Sequence, residues 1–169
     1  MEKKTVIVDS SSIIIFSKTN LLQPLVDVYR IILAESVYRE ITIESYSGAD
    51  ECGRLVKEKK ILVQDTLSSS YSTIQKLDRG EADTILLYTE GQGNFIIVDD
   101  GPAAKYCKRE GIPFINALLF PIVLKYAQLR TSEFCNKVFE DVVVTGRYSN
   151  KVVTFARKCD KENISFALP

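Results

Sequence analysis

Carboxylates dominate the residues able to do chemistry. The apolar run Thr5-Val-Ile-Val8 leads straight into Asp9, and Phe95-Ile-Ile-Val98 leads straight into Asp99 and Asp100. Glu40 lies within Val37-Tyr-Arg-Glu40-Ile41, with Glu35 in the loop before it and Glu44 one turn further on, and Leu77-Asp-Arg-Gly-Glu81-Ala-Asp83 forms a second acidic motif. Histidine is absent from the chain, which removes Ser-His and Cys-His nucleophile pairs, histidine zinc sites and the commonest general base. Carboxylates brought within a few ångströms raise one another's pKa, and a divalent cation relieves that conflict. All-oxygen ligands suit Mg2+ or Mn2+, and Mg2+ keeps waters and open positions for phosphate oxygens. Hydrolysis of a phosphodiester is the matching reaction, because such an ion activates a bound water and offsets charge on the scissile phosphate.

Positioning these side chains requires strands that end together. Short β-branched runs at 5–8, 31–33, 61–63, 95–98 and 113–115 alternate with helix-period segments near 11–18, 21–29, 36–45, 48–59, 70–77, 79–90, 101–110 and 117–129. That alternation predicts an α/β fold with a parallel sheet, and runs that are apolar throughout predict strands covered by helices on both faces. In such a sheet ligands bind beyond the carboxyl ends of the strands, where the strand order reverses. Asp9 and the Asp99-Asp100 pair meet there if their strands are neighbours. After Leu129 the pattern changes, and 132–144 and 149–161 read as two amphipathic helices joined at Thr145-Gly-Arg147. The expected organisation is one domain over residues 1–129, with 130–169 as its C-terminal helical appendage.

Composition narrows the function classes. A chain of 169 residues, 46% hydrophobic and 26% charged, suits a single domain with a full core. Basic and acidic residues number 22 each, so there is no global positive field and any nucleic-acid contact must be local. No stretch reaches the roughly 18 to 20 apolar residues of a bilayer span, and the charged start leads into a run too short for a signal peptide. A cytoplasmic protein without membrane contact is expected. Cys52, Cys107, Cys135 and Cys159 lie far apart without a CxxC pair, which reads as buried, reduced thiols rather than a zinc site.

Each acidic residue also has a plain structural reading. Asp9 can cap a helix starting near Ser11, with Ser10, Ser11 and Ser12 able to do the same. Asp99-Asp100-Gly101 can be an ordinary turn with Pro102 opening a helix. Asp78 and Glu81 have the spacing of a capping box, and Glu40 and Asp83 can be solvated helix positions. Joint placement is what favours chemistry: two acidic strand ends and two acidic helix positions.

At these residues the sequence resembles the PIN-domain family of ribonucleases, in particular VapC-like and related stand-alone prokaryotic proteins. The resemblance covers roughly residues 4–129. It is carried by VIVDSSSII with Asp9, AESVYREI with Glu40, LDRGEADTILL with Glu81 and Asp83, IIVDDGPAAKYCKREGI with Asp99 and Asp100, and the Ile115-Asn-Ala stretch. It implies a three-layer α/β/α sandwich around a central parallel sheet, Mg2+ or Mn2+ in the acidic cluster, and endonucleolytic cleavage of RNA leaving a 5′-phosphate. It further implies a homodimer and, for VapC-like members, a toxin role with a cognate antitoxin protein that blocks the site. Carried over by motif, Asp9 and Asp99 are direct metal ligands, Glu40 and Glu81 complete the catalytic cluster, and Asp83 and Asp100 are further candidate ligands. Asp99 is preferred over Asp100 because it ends the strand. Two positions depart from the family pattern: Glu81 stands where aspartate is more common, and Asn116-Ala117 replaces a Gly-Thr pair.

RNA binding needs cations for phosphates and hydrogen bonds or stacking for bases. Ser10, Arg79 and Lys105 are the substrate-binding candidates, with Lys18, Lys108 and Arg109 nearby in sequence. Two rivals remain. A phosphotransfer fold of the receiver or haloacid-dehalogenase type fits poorly, since Ser11 stands where the second dehalogenase aspartate belongs and a receiver places its acidic pair after the first strand. A catalytically silent PIN-fold module that binds nucleic acid or protein is the other.

Overall fold

The β-branched runs pair into one parallel sheet. Among the described residues its strands are β1 (Thr5–Val8), β2 (Arg30–Ala34), β3 (Ile61–Gln64), β4 (Phe95–Ile97) and β5 (Phe114–Ile115), in the order β3-β2-β1-β4-β5. The computed structural model describes residues 2–43, 46, 48–67 and 76–169. Glu44 lies outside the described residues, as does most of the helix expected at 70–77. β1 is central, pairing with β2 from Thr5↔Arg30 to Ile7↔Ile32 and with β4 from Val6↔Phe95 to Val8↔Ile97. The strands that lead to Asp9 and to Asp99-Asp100 are therefore neighbours, and the strand order reverses between them.

Helices α1 (Ser10–Lys18), α2 (Leu22–Val28), α3 (Glu35–Ile43), α4 (Ala49–Lys57), α5 (Arg79–Thr89), α6 (Gly101–Glu110), α7 (Phe120–Tyr126), α8 (Ser132–Gly146) and α9 (Asn150–Lys158) complete an α/β/α sandwich. The two faces of β4 show why its sequence is apolar throughout. Phe95 and Ile97 enter the larger core with β1, β2, α1, α7 and α8, whereas Ile96 and Val98 enter a smaller core with Ala82, Ile85, Ala103 and Cys107 of α5 and α6. In the larger core Tyr29 meets Phe95 edge-on at 5.4 Å and Phe16 meets Phe120 edge-on at 5.5 Å, the geometry that aromatic quadrupoles favour. All four cysteines are free and buried.

Several boundaries differ from the sequence reading. Glu35 is the first residue of α3 rather than part of a loop. The helix expected at 117–129 is a 3-10 turn at Ala117–Leu119 followed by α7, which ends at Tyr126. Asn116 accepts from the Leu119 amide and fixes the tight turn. Pro121, in the first turn of α7, has no N–H with which to continue an α-helical ladder back into that turn. Gln128, at φ 56°, then takes the chain into the left-handed region past the helix end. α8 runs through Gly146, so the junction with α9 starts at Arg147, also left-handed at φ 51°.

The C-terminal segment is tied to the sheet. Tyr29 donates to the Ala167 carbonyl, Lys4 donates to the carbonyls of Phe166 and Leu168, and Phe166 packs edge-on against Phe95 at 5.7 Å. Close packing also constrains the turn that leads into β4. A Cβ on Gly93 would lie 2.9 Å from Ile7 Cγ1 and 3.0 Å from Cδ1, against a side chain fully buried on the central strand. Gly93→Ala is expected to destabilise the protein by about 1–3 kcal/mol, the range for overpacking, read as a lower urea midpoint with unchanged slope.

Candidate active site at the carboxyl ends of the strands

Asp9 leaves β1 and caps α1. Its Oδ1 accepts from the Ser12 amide at 2.8 Å, and its Oδ2 accepts from Ser11 Oγ at 2.9 Å and from the Asp99 amide at 3.2 Å. The residue is 3% exposed, and burial raises its pKa against the opposing hydrogen bonds. Capping and closeness to the second acidic strand end thus coexist in one side chain.

Asp99 and Asp100 part company. β4 ends at Ile97, so neither follows it directly. The pleat sends Asp99 to the side of Phe95 and Ile97, where its carboxylate accepts from Ser12 Oγ at 2.6 Å, from the Ala117 amide at 3.1 and 3.2 Å, and from the Tyr148 hydroxyl. Burial first, then the neighbouring Asp9 charge, push its pKa up to about 6. Asp100 falls on the opposite side, with α5. It is the N-cap of α6, yet its side chain makes no capping hydrogen bond. Its Oδ1 is buried and has no hydrogen-bond partner, a costly arrangement that calls for a specific reason.

Glu81 faces Asp100. Together with Asp78 it closes the capping box of α5: Asp78 Oδ1 accepts from the Glu81 amide at 2.9 Å, and Glu81 Oε2 accepts from the Asp78 amide at 3.1 Å. Burial, and then a hydrogen bond with the Asp100 side chain, push the Glu81 carboxyl up to about 8. Glu81 thus keeps its proton near neutrality. Asp78→Ala removes one half of the box and is expected to cost about 1 kcal/mol of stability, measured by chemical denaturation.

Glu40 stands beside the first turn of α5. A Cβ on Gly80 would be 3.3 Å from Glu40 Oε2 and 3.6 Å from Asp78 Oδ1. Both acids line a cleft of about 560 Å³, which Arg39, Ile43 and Arg79 also border. Arg79 is exposed, with its Nε 3.6 Å from the buried Asp83 carboxylate. Ser10 opens α1 half-buried, and Lys105 is exposed on α6. Arg109 pairs with Glu110 at 2.6 Å and stacks over Tyr106.

The structure therefore joins Asp9 to Asp99 and Glu81 to Asp100, and places Glu40 next to Gly80 at the head of α5. Among the described residues no group of three or more carboxylate or thiol side chains is arranged to hold a metal ion. Ser12 and Tyr148, both bonded to Asp99, were not singled out as site residues in the sequence. Ser12 looked like an alternative cap, and Tyr148 lies 49 residues from Asp99 in a segment with no acidic motif.

Fold and site together define an α/β/α sandwich with carboxylates gathered at the switch point of its parallel sheet. Residues 5–158 match the DUF3368 family, a PIN domain, and the chain therefore belongs to the PIN-domain family. The match runs through α8 and α9, past residue 129 where the recognisable motifs stop. No curated protein and no solved structure matches the chain significantly. PIN domains have a nuclease fold and generally use divalent metals. The donors present fit such an ion: Asp100 offers an unpartnered buried oxygen and Glu81 a second hard oxygen. Mg2+ commonly takes one or two carboxylates and fills its other positions with water and phosphate. No helix among the described residues is long and apolar enough to cross a membrane.

Proposed function

We propose that this protein is a metal-dependent endoribonuclease that hydrolyses RNA phosphodiester bonds with Mg2+ or Mn2+. The observation that carries the reading is Asp100, a helix N-cap that does not cap and whose buried Oδ1 has no partner, set against Glu81. Bound at this pair, a divalent ion supplies an activated water and offsets charge on the scissile phosphate. Asp100 and Glu81 hold it, and Glu81 gives up its proton in doing so. Asp9 adds negative charge at the adjoining strand end, while Glu40 stands at the cleft wall to orient water or substrate. Asp99, engaged by three donors, serves as the brace of β4. Asp83 holds Arg79 at the cleft rim, where its guanidinium meets the RNA backbone, with Ser10 and Lys105 as further contacts.

A toxin role, with a cognate antitoxin protein covering the site, a homodimer and a cytoplasmic location, forms the extended version of this proposal. A small antitoxin-like reading frame found beside the gene would support it. The rival reading, a catalytically silent module that binds nucleic acid or protein, is favoured by the lack of a three-carboxylate group among the described residues. An RNA panel incubated with Mn2+ separates them. Wild type is expected to cleave, EDTA to stop cleavage, and Asp9→Asn to slow it strongly. RNA left intact by the wild type, with binding retained, establishes the silent module instead.

A further inference from the structure

Tyr148 reaches Asp99 from the junction between α8 and α9. Its hydroxyl donates to Asp99 Oδ1 while Ser12 Oγ donates to Oδ2 and the Ala117 amide bridges both oxygens. Burial and the Asp99 charge raise the Tyr148 pKa, so the phenol remains a donor. The Asp99 amide in turn donates to Asp9 Oδ2 at 3.2 Å, and the next residue is Asp100. Fixing the Asp99 side chain therefore fixes the backbone that spaces Asp9 from Asp100. The junction is shaped for this contact. Arg147 turns the chain through the left-handed region, Ser149 caps α9, and a Cβ on Gly146 would overlap the Tyr148 ring.

We infer that Tyr148 is a positioning residue for the metal site, acting through Asp99, and that α8 and α9 are thereby part of the catalytic unit. The inference rests on the metal-dependent reading proposed above. Partners one step removed from the ligands orient them, and their loss typically weakens metal binding 10- to 100-fold. Tyr148 holds a carboxylate whose own amide grips Asp9, so about tenfold is the expected effect.

Mn2+ binding to the full-length protein, titrated by the signal of the free ion, provides the test, with unfolding midpoints recorded in EDTA. Tyr148→Phe is expected to raise the Mn2+ dissociation constant about tenfold. Gly146→Ala, which displaces the ring, is expected to do the same, and the double variant to be no worse than either alone. Tyr126→Phe is the matched control: it removes an α7 hydroxyl that donates to the Cys159 carbonyl of the tail at 3.2 Å, away from Asp99. It is expected to leave Mn2+ affinity unchanged. A purely structural role for Tyr148 lowers the midpoint and leaves affinity alone, and that result overturns the inference. Equal weakening by Tyr126→Phe overturns it too. Wild type that binds no Mn2+ removes the metal reading, and the inference with it. If Tyr148→Phe does not fold, Gly146→Ala carries the same expectation.

Discussion

Replacing Asp100 with asparagine is expected to lower Mn2+-dependent RNA cleavage by at least about a hundredfold while leaving the protein folded and as stable as wild type or more so. The wild-type residue buries an oxygen without a partner and makes no capping bond. The substitution therefore removes an electrostatic burden from the metal-free protein, and the asparagine amide oxygen still accepts the Glu81 hydrogen bond. Asp99→Asn differs in kind. It disturbs the bonds from Ser12, Ala117 and Tyr148, and leaving buried donors poorly matched costs about 1–3 kcal/mol. Its loss of activity is expected to come with loss of stability. Cleavage rates and urea midpoints for the two variants separate a ligand from a brace. Asp100→Asn with full activity, or with a large drop in stability, contradicts the assignment.

The second large effect is in the pH dependence of stability. Glu81 titrates at about 8 and Asp99 at about 6 in the folded chain, both raised above their ordinary values. Between the unfolded and folded values the native state binds more protons than the unfolded one, so stability falls as pH rises. The contribution of Asp99 is present in full below about pH 4 and is gone once pH passes about 6; that of Glu81 is lost from about 4.5 to about 8. Glu81 alone is worth on the order of 2 kcal/mol over that window, or about 4–8 °C in midpoint for a chain of this size. In EDTA the melting temperature is expected to fall from pH 5 to 8.5. Mn2+ competes with the Glu81 proton, so the stabilisation it adds is expected to grow with pH. Glu81→Gln flattens the EDTA curve above pH 6. A flat or rising wild-type curve in EDTA contradicts the raised Glu81 and Asp99 carboxyls.

The fold was readable because the strands are buried on both faces and so carry uninterrupted β-branched runs, each bounded by a helix-period segment. The capping box at Asp78 and Glu81 was readable from spacing alone. The choice between Asp99 and Asp100 was not, because it depends on pleat parity. Phe95, Ile97 and Asp99 share one face and Ile96, Val98 and Asp100 the other, and only the assembled layers show that α1 and Tyr148 wait on the first side and Glu81 on the second. On the proposed reading, the residue nearer the strand end is the brace and its neighbour the ligand. Helix α7 is shorter than the periodicity predicts, because apolar spacing runs on through the 3-10 turn and Pro121. Tyr148 gave no signal, since a tyrosine in an amphipathic tail reads as core packing until the tail is folded back onto the sheet.

The most direct measurement is the position of Mn2+ itself, located by anomalous diffraction from crystals of the full chain grown with the ion. The account predicts a peak with Asp100 Oδ1 and a Glu81 carboxylate oxygen about 2 Å away, on the side of the sheet facing α5 and with Asp9 close by. Saturating Mn2+ with no peak at that pair, or a peak held by Asp99 in place of Tyr148 and Ser12, contradicts it.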